Sequence, residues 1–148
     1  MRPELANFKG LSLKDLPKED FIAPGHRACQ GCGTVLPLKL ALKVLGPNTI
    51  AVSSTGCMEI ITSPFPYTSW KIPWIHVAFE NSATVASGID SAIKALKRKG
   101  KLSKKEKINV VVFSGDGATC DIVLQFFSGA LDSGHNFIFI CVDCDGEI

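Results

Sequence analysis

The sequence predicts an α/β protein with a parallel sheet and flanking helices. Three observations point there. Ile108 to Phe113, interrupted only by Asn109, and Phe137 to Val142 are apolar runs, the pattern of strands buried on both faces of a parallel sheet. Between them lie a glycine-rich break, Ser114-Gly115-Asp116-Gly117, and a segment from Thr119 to Leu131 that suits a helix, ended by Ser133-Gly134. Strand, turn, helix and strand in that order make a βαβ unit, whose crossover is right-handed.

The earlier elements follow in order. Residues 1–20 mix charges with Pro3 and Pro17 and hold no sustained period. They are expected to form an arm, ahead of a domain spanning residues 21–148. Ala23-Pro24-Gly25-His26 opens a turn, and Cys29-Gln30-Gly31-Cys32-Gly33 is a glycine-rich loop. From Thr34 the pattern is helical: Leu38, Ala41, Leu42 and Leu45 recur at steps of three and four. Gly46-Pro47-Asn48 stops that helix. Thr49 to Ser53 reads as a short strand, followed by a turn at Ser54-Thr55-Gly56-Cys57. Pro64, Pro66 and Pro73 exclude a regular helix over residues 62–74. That span carries Phe65, Tyr67, Trp70 and Trp74, so it is expected as an ordered aromatic loop, either functional or a cover over the core. Ile75 to Phe79 reads as a strand. Asn81 or Ser82 caps a helix to about Lys97, with Val85, Ala86, Ile89, Ala92, Ile93 and Leu96 on one face.

Composition narrows the class. The chain has 148 residues, 46% hydrophobic and 20% charged, which fits one globular domain with a real core. No apolar run is long enough to span a bilayer, and the N-terminus has no apolar signal region. These features argue against a secreted or membrane protein and for the cytoplasm. A net charge of +2 is too mild to imply nucleic-acid binding. Lys94 to Lys107 holds eight of the sixteen basic residues. It could steer an acidic partner, but a solvated helix end is the simpler reading.

In open parallel sheets, ligands sit beyond the carboxyl ends of the strands. That puts Asp116 and Asp143 to Asp145 on one functional edge. Gly115 and Gly117 let the backbone approach a phosphate closely, and the following helix start turns N–H groups toward an anion. Asp116 offers a hard oxygen suited to Mg²⁺ that also holds phosphate oxygens. The motif is neither a Walker A loop nor Gly-x-Gly-x-x-Gly.

The six cysteines are Cys29, Cys32, Cys57, Cys120, Cys141 and Cys144. A disulfide framework is a weak reading without a signal peptide. Cys29-x-x-Cys32, with Cys57 25 residues later, suits an iron–sulfur cluster or a soft metal. Such centres normally take four ligands; the fourth could be Cys120, Cys141, Cys144 or a residue outside this chain. Cys141, in an expected buried strand, reads as a small hydrophobe. Cys120 opens a helix beside the phosphate site. A redox dithiol at Cys29 and Cys32 is the competing reading. His26 and His76 could be ligands or bases, though a structural hydrogen bond is the simpler role. Glu59 and Glu80 carry no mark that separates them from surface or paired carboxylates.

Several segments together resemble a known family. Pro24-Gly25-His26-Arg27-Ala28-Cys29-Gln30-Gly31-Cys32-Gly33 is similar to the start of the thiamine-diphosphate-binding β subunits of pyruvate:ferredoxin oxidoreductases. So are Thr55-Gly56-Cys57, Pro66-Tyr67-Thr68-Ser69-Trp70, and the run from Pro73 to Asn81. Gly115-Asp116-Gly117-Ala118-Thr119 and Asp121-Ile122 complete the set, which covers about residues 21–143. The sister enzymes for branched-chain 2-oxoacids are separated less well.

The resemblance implies a thiamine-diphosphate-binding fold and oxidative decarboxylation of pyruvate to acetyl-CoA and CO₂, or the reverse. It implies that Cys29, Cys32 and Cys57 hold a [4Fe–4S] cluster, with a fourth cysteine much later. It implies that Asp116 binds Mg²⁺ and that Thr55, Gly56, Gly115, Gly117 and Ala118 line the cofactor site. The implied partners are an α subunit, which supplies the glutamate that activates the cofactor, further subunits, ferredoxin, pyruvate and coenzyme A. No catalytic acid or base is therefore assigned to this chain. A non-catalytic iron–sulfur subunit is the alternative, and a zinc-stabilised binding module a third. Two departures stand out. The family's second Mg²⁺ ligand falls 28 residues after the motif aspartate, here Cys144, a poor ligand for a hard cation; Asp143 or Asp145 could replace it. The chain also stops at Ile148, so the expectation is a fragment with an incomplete site.

Overall fold

The computed structural model describes residues 13–64 and 68–143. Four strands form one parallel sheet: β1 (Thr49–Ser54), β2 (Trp74–Val77), β3 (Asn109–Gly115) and β4 (Ile138–Val142). Their spatial order is β2-β1-β3-β4. The helices are α1 (Val35–Leu45), α2 (Cys57–Thr62), α3 (Ser82–Arg98) and α4 (Leu124–Asp132). A π turn, Ala118–Ile122, precedes α4. Among the described residues no helix is long and apolar enough to cross a membrane.

Alternation along the central strands builds a layer on each face. Ala51, Val111 and Phe113 pack with Leu38, Leu42 and Leu45 of α1, and with Met58 of α2. Val52, Val110 and Val112 face the other way, onto Val77 and Ala86. Leu38 and Leu42 are fully buried, and burying each contributes about 1.5–3 kcal/mol. Phe21, Ile22, Trp70 and Ile72 complete the α1 side. Ile22 bridges Trp70 in antiparallel fashion, so the proline-rich aromatic span covers the core. Its residues 65–67, including Phe65 and Tyr67, lie outside the described residues.

Several elements differ from expectation. Cys57 opens a helix instead of lying in a turn: Ile60 N–H donates to Gly56 O at 3.0 Å, and Ser63 N–H to Glu59 O at 2.9 Å. The third strand carries on through Gly115, because Ser114 and Gly115 pair with Cys141 and Val142. The second strand occupies Trp74–Val77 and not Ile75 to Phe79. The helix expected from Thr119 opens as the π turn, with Val123 N–H reaching Ala118 O at 2.7 Å. The expected burial of β4 on both faces is also corrected. Among the described residues β4 pairs only with β3, and Ile138 and Cys141 are exposed. Cys141 is thus not a buried hydrophobe.

Two polar clusters fasten the periphery. The Lys43 ammonium on α1 donates to Pro17 O at 2.9 Å and Lys18 O at 3.2 Å, and pairs with Asp20 at 2.8 Å. On the opposite face, the buried carboxylate of Asp90 joins α3 to the turn before β4. It lies 2.7 Å from Lys94 Nζ and 3.2 Å from His135 Nδ1, and accepts the Asn136 N–H at 3.1 Å. Burial pushes the Asp90 carboxyl up, but hydrogen bonds from Lys94, Asn136 and His135 outweigh it and hold it below the ordinary value.

That depressed value fixes a sign. The stabilisation is complete above the unfolded carboxyl value, about 3.9 for aspartate, and is lost as pH falls through the lower folded value. Asp90→Asn is therefore expected to lower stability at pH 7 by about 1–3 kcal/mol. Urea unfolding of both proteins should show the difference shrinking below about pH 4.

Candidate functional site

The connection from β1 to β2 leaves on one side of β1, and the chain then returns across β1 to place β3 on the other. Adjacent parallel strands whose connections depart in opposite directions leave a crevice at their carboxyl ends. Here a cavity of about 350 Å³ opens at that point. The end of β1 lines it with Ser54 to Met58, and the end of β3 with Phe113 to Ala118. Thr34, Ile60, Phe79 and Val142 close its margins.

Ser54 and Ser114 are both buried, and Ser54 Oγ donates to Ser114 Oγ at 2.9 Å. Across the next turn, Thr119 Oγ1 donates to Gly115 O at 2.6 Å, folding residues 115–119 inward. A Cβ added at Gly115 or Gly117 would meet no protein atom within 4 Å, so open space lies beside both. Asp116 is exposed between them. Gly115 pairs with Val142, so Asp116 and Asp143 each stand one residue beyond the same rung of the sheet. Adjacent strands lie about 4.8 Å apart at that rung. Cys144 and Asp145 lie outside the described residues.

The expected thiols sit on the β1 side. Cys57 is exposed at the start of α2 and lines the cavity. Cys32 N–H donates to Cys29 O at 3.1 Å, closing the Cys-x-x-Cys turn, and Arg27 N–H donates to Ile61 O at 2.8 Å. The second bond fastens that turn to α2. The Thr34 N–H at the start of α1 holds the Cys32 thiol below the usual range; the Val35 N–H and Thr34 hydroxyl add to this, and partial burial opposes it. Thiolates are soft donors, so the donor chemistry fits an iron–sulfur cluster. Among the described residues, no three His, Cys, Asp or Glu side chains converge to hold a single metal ion. Cys120 is exposed in the π turn.

The other expected candidates separate. His26 Nδ1 accepts the Ala28 N–H at 3.4 Å, a local turn contact. Glu80 is exposed. Glu59 is buried, and its carboxylate accepts the Ser63 hydroxyl and lies 3.6 Å from His76 Nε2. His76 Nε2 is also 2.7 Å from Thr55 Oγ1, at the cavity margin. Sequence reading did not distinguish Glu59, because it gave residues 58–61 no element, and the meeting of Glu59 with His76 depends on strand register. The basic residues of Lys94 to Lys107 are largely exposed, with Lys97 Nζ donating to Glu106 O at 2.6 Å. They lie at the end of α3 remote from the cavity.

This sheet and this cavity belong to a class. Residues 54–145 match the family described as thiamine pyrophosphate enzyme, C-terminal TPP binding domain, and the chain belongs to that family. Its matched span starts with the β1 end of the cavity and contains the whole Gly-Asp-Gly segment.

Among individual proteins, the chain is similar to pyruvate synthase subunit PorB of Methanothermobacter thermautotrophicus: 60% identical over 128 residues, 86% of this chain and 42% of the relative. The same-named subunit of Methanocaldococcus jannaschii is 54% identical over 132 residues, 88% and 44% of the two chains. Ketoisovalerate oxidoreductase subunit VorB of Pyrococcus abyssi is 44% identical over 128 residues, 86% and 40%. The chain therefore spans about two-fifths of the length of these relatives.

Gly56 supplies a local test. Its φ of +158° is one that L side chains rarely adopt, although a Cβ there would meet no atom within 4 Å. The penalty for a side chain is thus torsional. Gly56→Ala is expected to cost about 1–3 kcal/mol in chemical denaturation. The same substitution at Gly117, which has φ −60°, should cost far less.

Proposed function

We propose that this chain forms the thiamine-diphosphate-binding part of the β-type subunit of a 2-oxoacid:ferredoxin oxidoreductase, with pyruvate as the 2-oxoacid. The observation that carries the reading is the meeting of the Thr55-Gly56-Cys57 and Gly115-Asp116-Gly117 segments in one cavity at the sheet's switch point. The 60% and 54% identity to the Methanothermobacter thermautotrophicus and Methanocaldococcus jannaschii pyruvate synthase subunits, against 44% to the ketoisovalerate subunit, supports pyruvate over a branched 2-oxoacid.

In this reading Gly115, Gly117 and Ala118 give the cofactor's diphosphate close backbone access. Asp116 holds Mg²⁺ against it, with Asp143 the neighbouring oxygen donor, and Thr55 and Gly56 form the facing wall. Bound thiamine diphosphate supplies an electron sink for the carbon from which CO₂ departs. Cys29, Cys32 and Cys57 bind three corners of a [4Fe–4S] cluster, which supplies single-electron passage toward ferredoxin. The fourth cluster ligand and the residue that activates the cofactor come from elsewhere in the assembly, the latter from an α-type subunit. The acyl group passes to coenzyme A, and the enzyme works in the cytoplasm.

Asp116→Ala tests the assignment in the assembled enzyme. Thiamine diphosphate affinity in the presence of Mg²⁺ is expected to fall by at least about tenfold, since a charged hydrogen-bonding or metal contact contributes roughly 1.5–3 kcal/mol. Iron content and the visible cluster absorption should stay unchanged. Full turnover and unchanged affinity in the variant would remove Asp116 from the site.

A further inference from the structure

The hydroxyl of Thr55 has two partners and one proton. It lies 3.1 Å from Val77 O and 2.7 Å from His76 Nε2. A carbonyl can only accept, so the Thr55 proton goes to Val77 O. His76 Nε2 must then carry a hydrogen and donate it to Thr55. The buried carboxylate of Glu59, 3.6 Å from the same nitrogen, favours hydrogen there electrostatically. Thr55 N–H also donates to Val77 O, at 2.9 Å. Thr55 is thus held from two sides, on the carboxyl end of β2.

The imidazole is held in turn. It stacks on Trp74, with ring centroids 6.3 Å apart and planes 9° from parallel. Trp74 stacks on Trp70 at 5.6 Å and 12°. Trp70 Nε1–H donates to Thr62 Oγ1 at 2.9 Å, at the last residue of α2. The chain of contacts therefore leaves α2 at its end and returns, through His76 and Thr55, to the turn just before its start. What it encloses is Thr55-Gly56-Cys57, one wall of the cavity.

We propose that His76 is a positioning residue for the cofactor cavity. It acts through the Nε2–H bond to Thr55, which sets the shape of the Thr55-Gly56-Cys57 wall before a ligand arrives. The inference rests on the reading of that cavity as a thiamine diphosphate site. Its content is the hydrogen-bond donor, beyond the bulk or stacking of the ring.

Two substitutions separate these features. His76→Gln keeps an amide N–H donor and loses the ring; His76→Phe keeps a stacking ring and loses the donor. The experiment is a calorimetric titration of the full chain in its assembled complex with thiamine diphosphate, at saturating Mg²⁺. His76→Phe is expected to weaken binding about five- to tenfold, the range of one lost hydrogen bond. His76→Gln should stay within about twofold of the unsubstituted protein. Thr55→Val should give a loss like that of His76→Phe, and adding His76→Phe to it should produce little more, because both break one coupled unit. If His76→Phe does not fold, His76→Gln and Thr55→Val carry the test: a five- to tenfold loss in Thr55→Val with His76→Gln within about twofold is expected, and a loss in His76→Gln equal to that in Thr55→Val overturns the proposal. Equal binding by the Phe and Gln variants, whether both weakened or both intact, also overturns it while leaving the cofactor site in place. Failure of the unsubstituted protein to bind thiamine diphosphate at all sinks both the site and the role of His76.

Discussion

The parallel pairing of β1 with β3 is the contact on which the rest of the molecule depends. Five rungs join Thr49–Ser53 to Asn109–Phe113, although 54 residues of chain separate the strands. Because the pair is parallel, both strands end on the same edge. Because β1 then leads away to β2 and β3 to β4, their continuing chains part there. The crevice between them is a consequence of topology, and its chemistry is whatever the next few residues of each strand supply. In this protein those residues are Thr55-Gly56-Cys57 and Asp116-Gly117-Ala118. The two helix layers follow from the same pair, since Val111 and Phe113 turn to one face while Val110 and Val112 turn to the other.

The fold was legible where physical signals are local. The apolar run before Gly115, the periodic helices at α1 and α3, and the glycine break could each be read within a window of about a dozen residues. The site was legible to the extent that it is made of strand ends, because the strand-end rule locates Asp116 without coordinates. What escaped was decided by contacts distant in sequence. The helical turn at Cys57–Thr62 is too short to show a period. Its formation is supported by buried contacts of Met58 and by the Trp70–Thr62 bond. The exposure of Cys141 could not be read from an apolar run, since the pattern of a strand does not say how many neighbours it has.

Glu59 illustrates the same limit at a single residue. A lone glutamate between Met58 and Ile60 has no sequence mark of burial. It is buried because α2 turns it inward, and its charge is met by the Ser63 hydroxyl and the nearby imidazole. The register that pairs Ser53 with His76 brings that imidazole to the carboxyl end of β1. A shift of one residue would send the ring to the opposite face of the sheet. Trp74, two residues earlier on the same strand, stacks on the ring. The polar cluster thus expresses one strand alignment.

The arrangement of donors around the cavity follows the hardness of the ions each would take. In the proposed reading, the oxygen donors Asp116 and Asp143 stand one residue beyond adjacent strand ends, beside the open space at Gly115 and Gly117. That is the environment a small hard cation needs, since it is bound by a few carboxylates together with a substrate's own oxygens. Cys57 lines the opposite side of the cavity at the start of α2, and the Arg27–Ile61 bond fastens the turn carrying Cys29 and Cys32 to that helix. Soft thiolates compete poorly for a hard cation, and carboxylates poorly for a soft one. In the proposed reading, this separation would let one crevice keep a hard-cation site apart from a thiolate site. A shared wall links the two sides: the turn that presents Cys57 begins at Thr55, whose hydroxyl is fixed by His76. A change in that turn would therefore be felt on both sides of the cavity, which is the physical reason for the number of bonds converging on so short a segment.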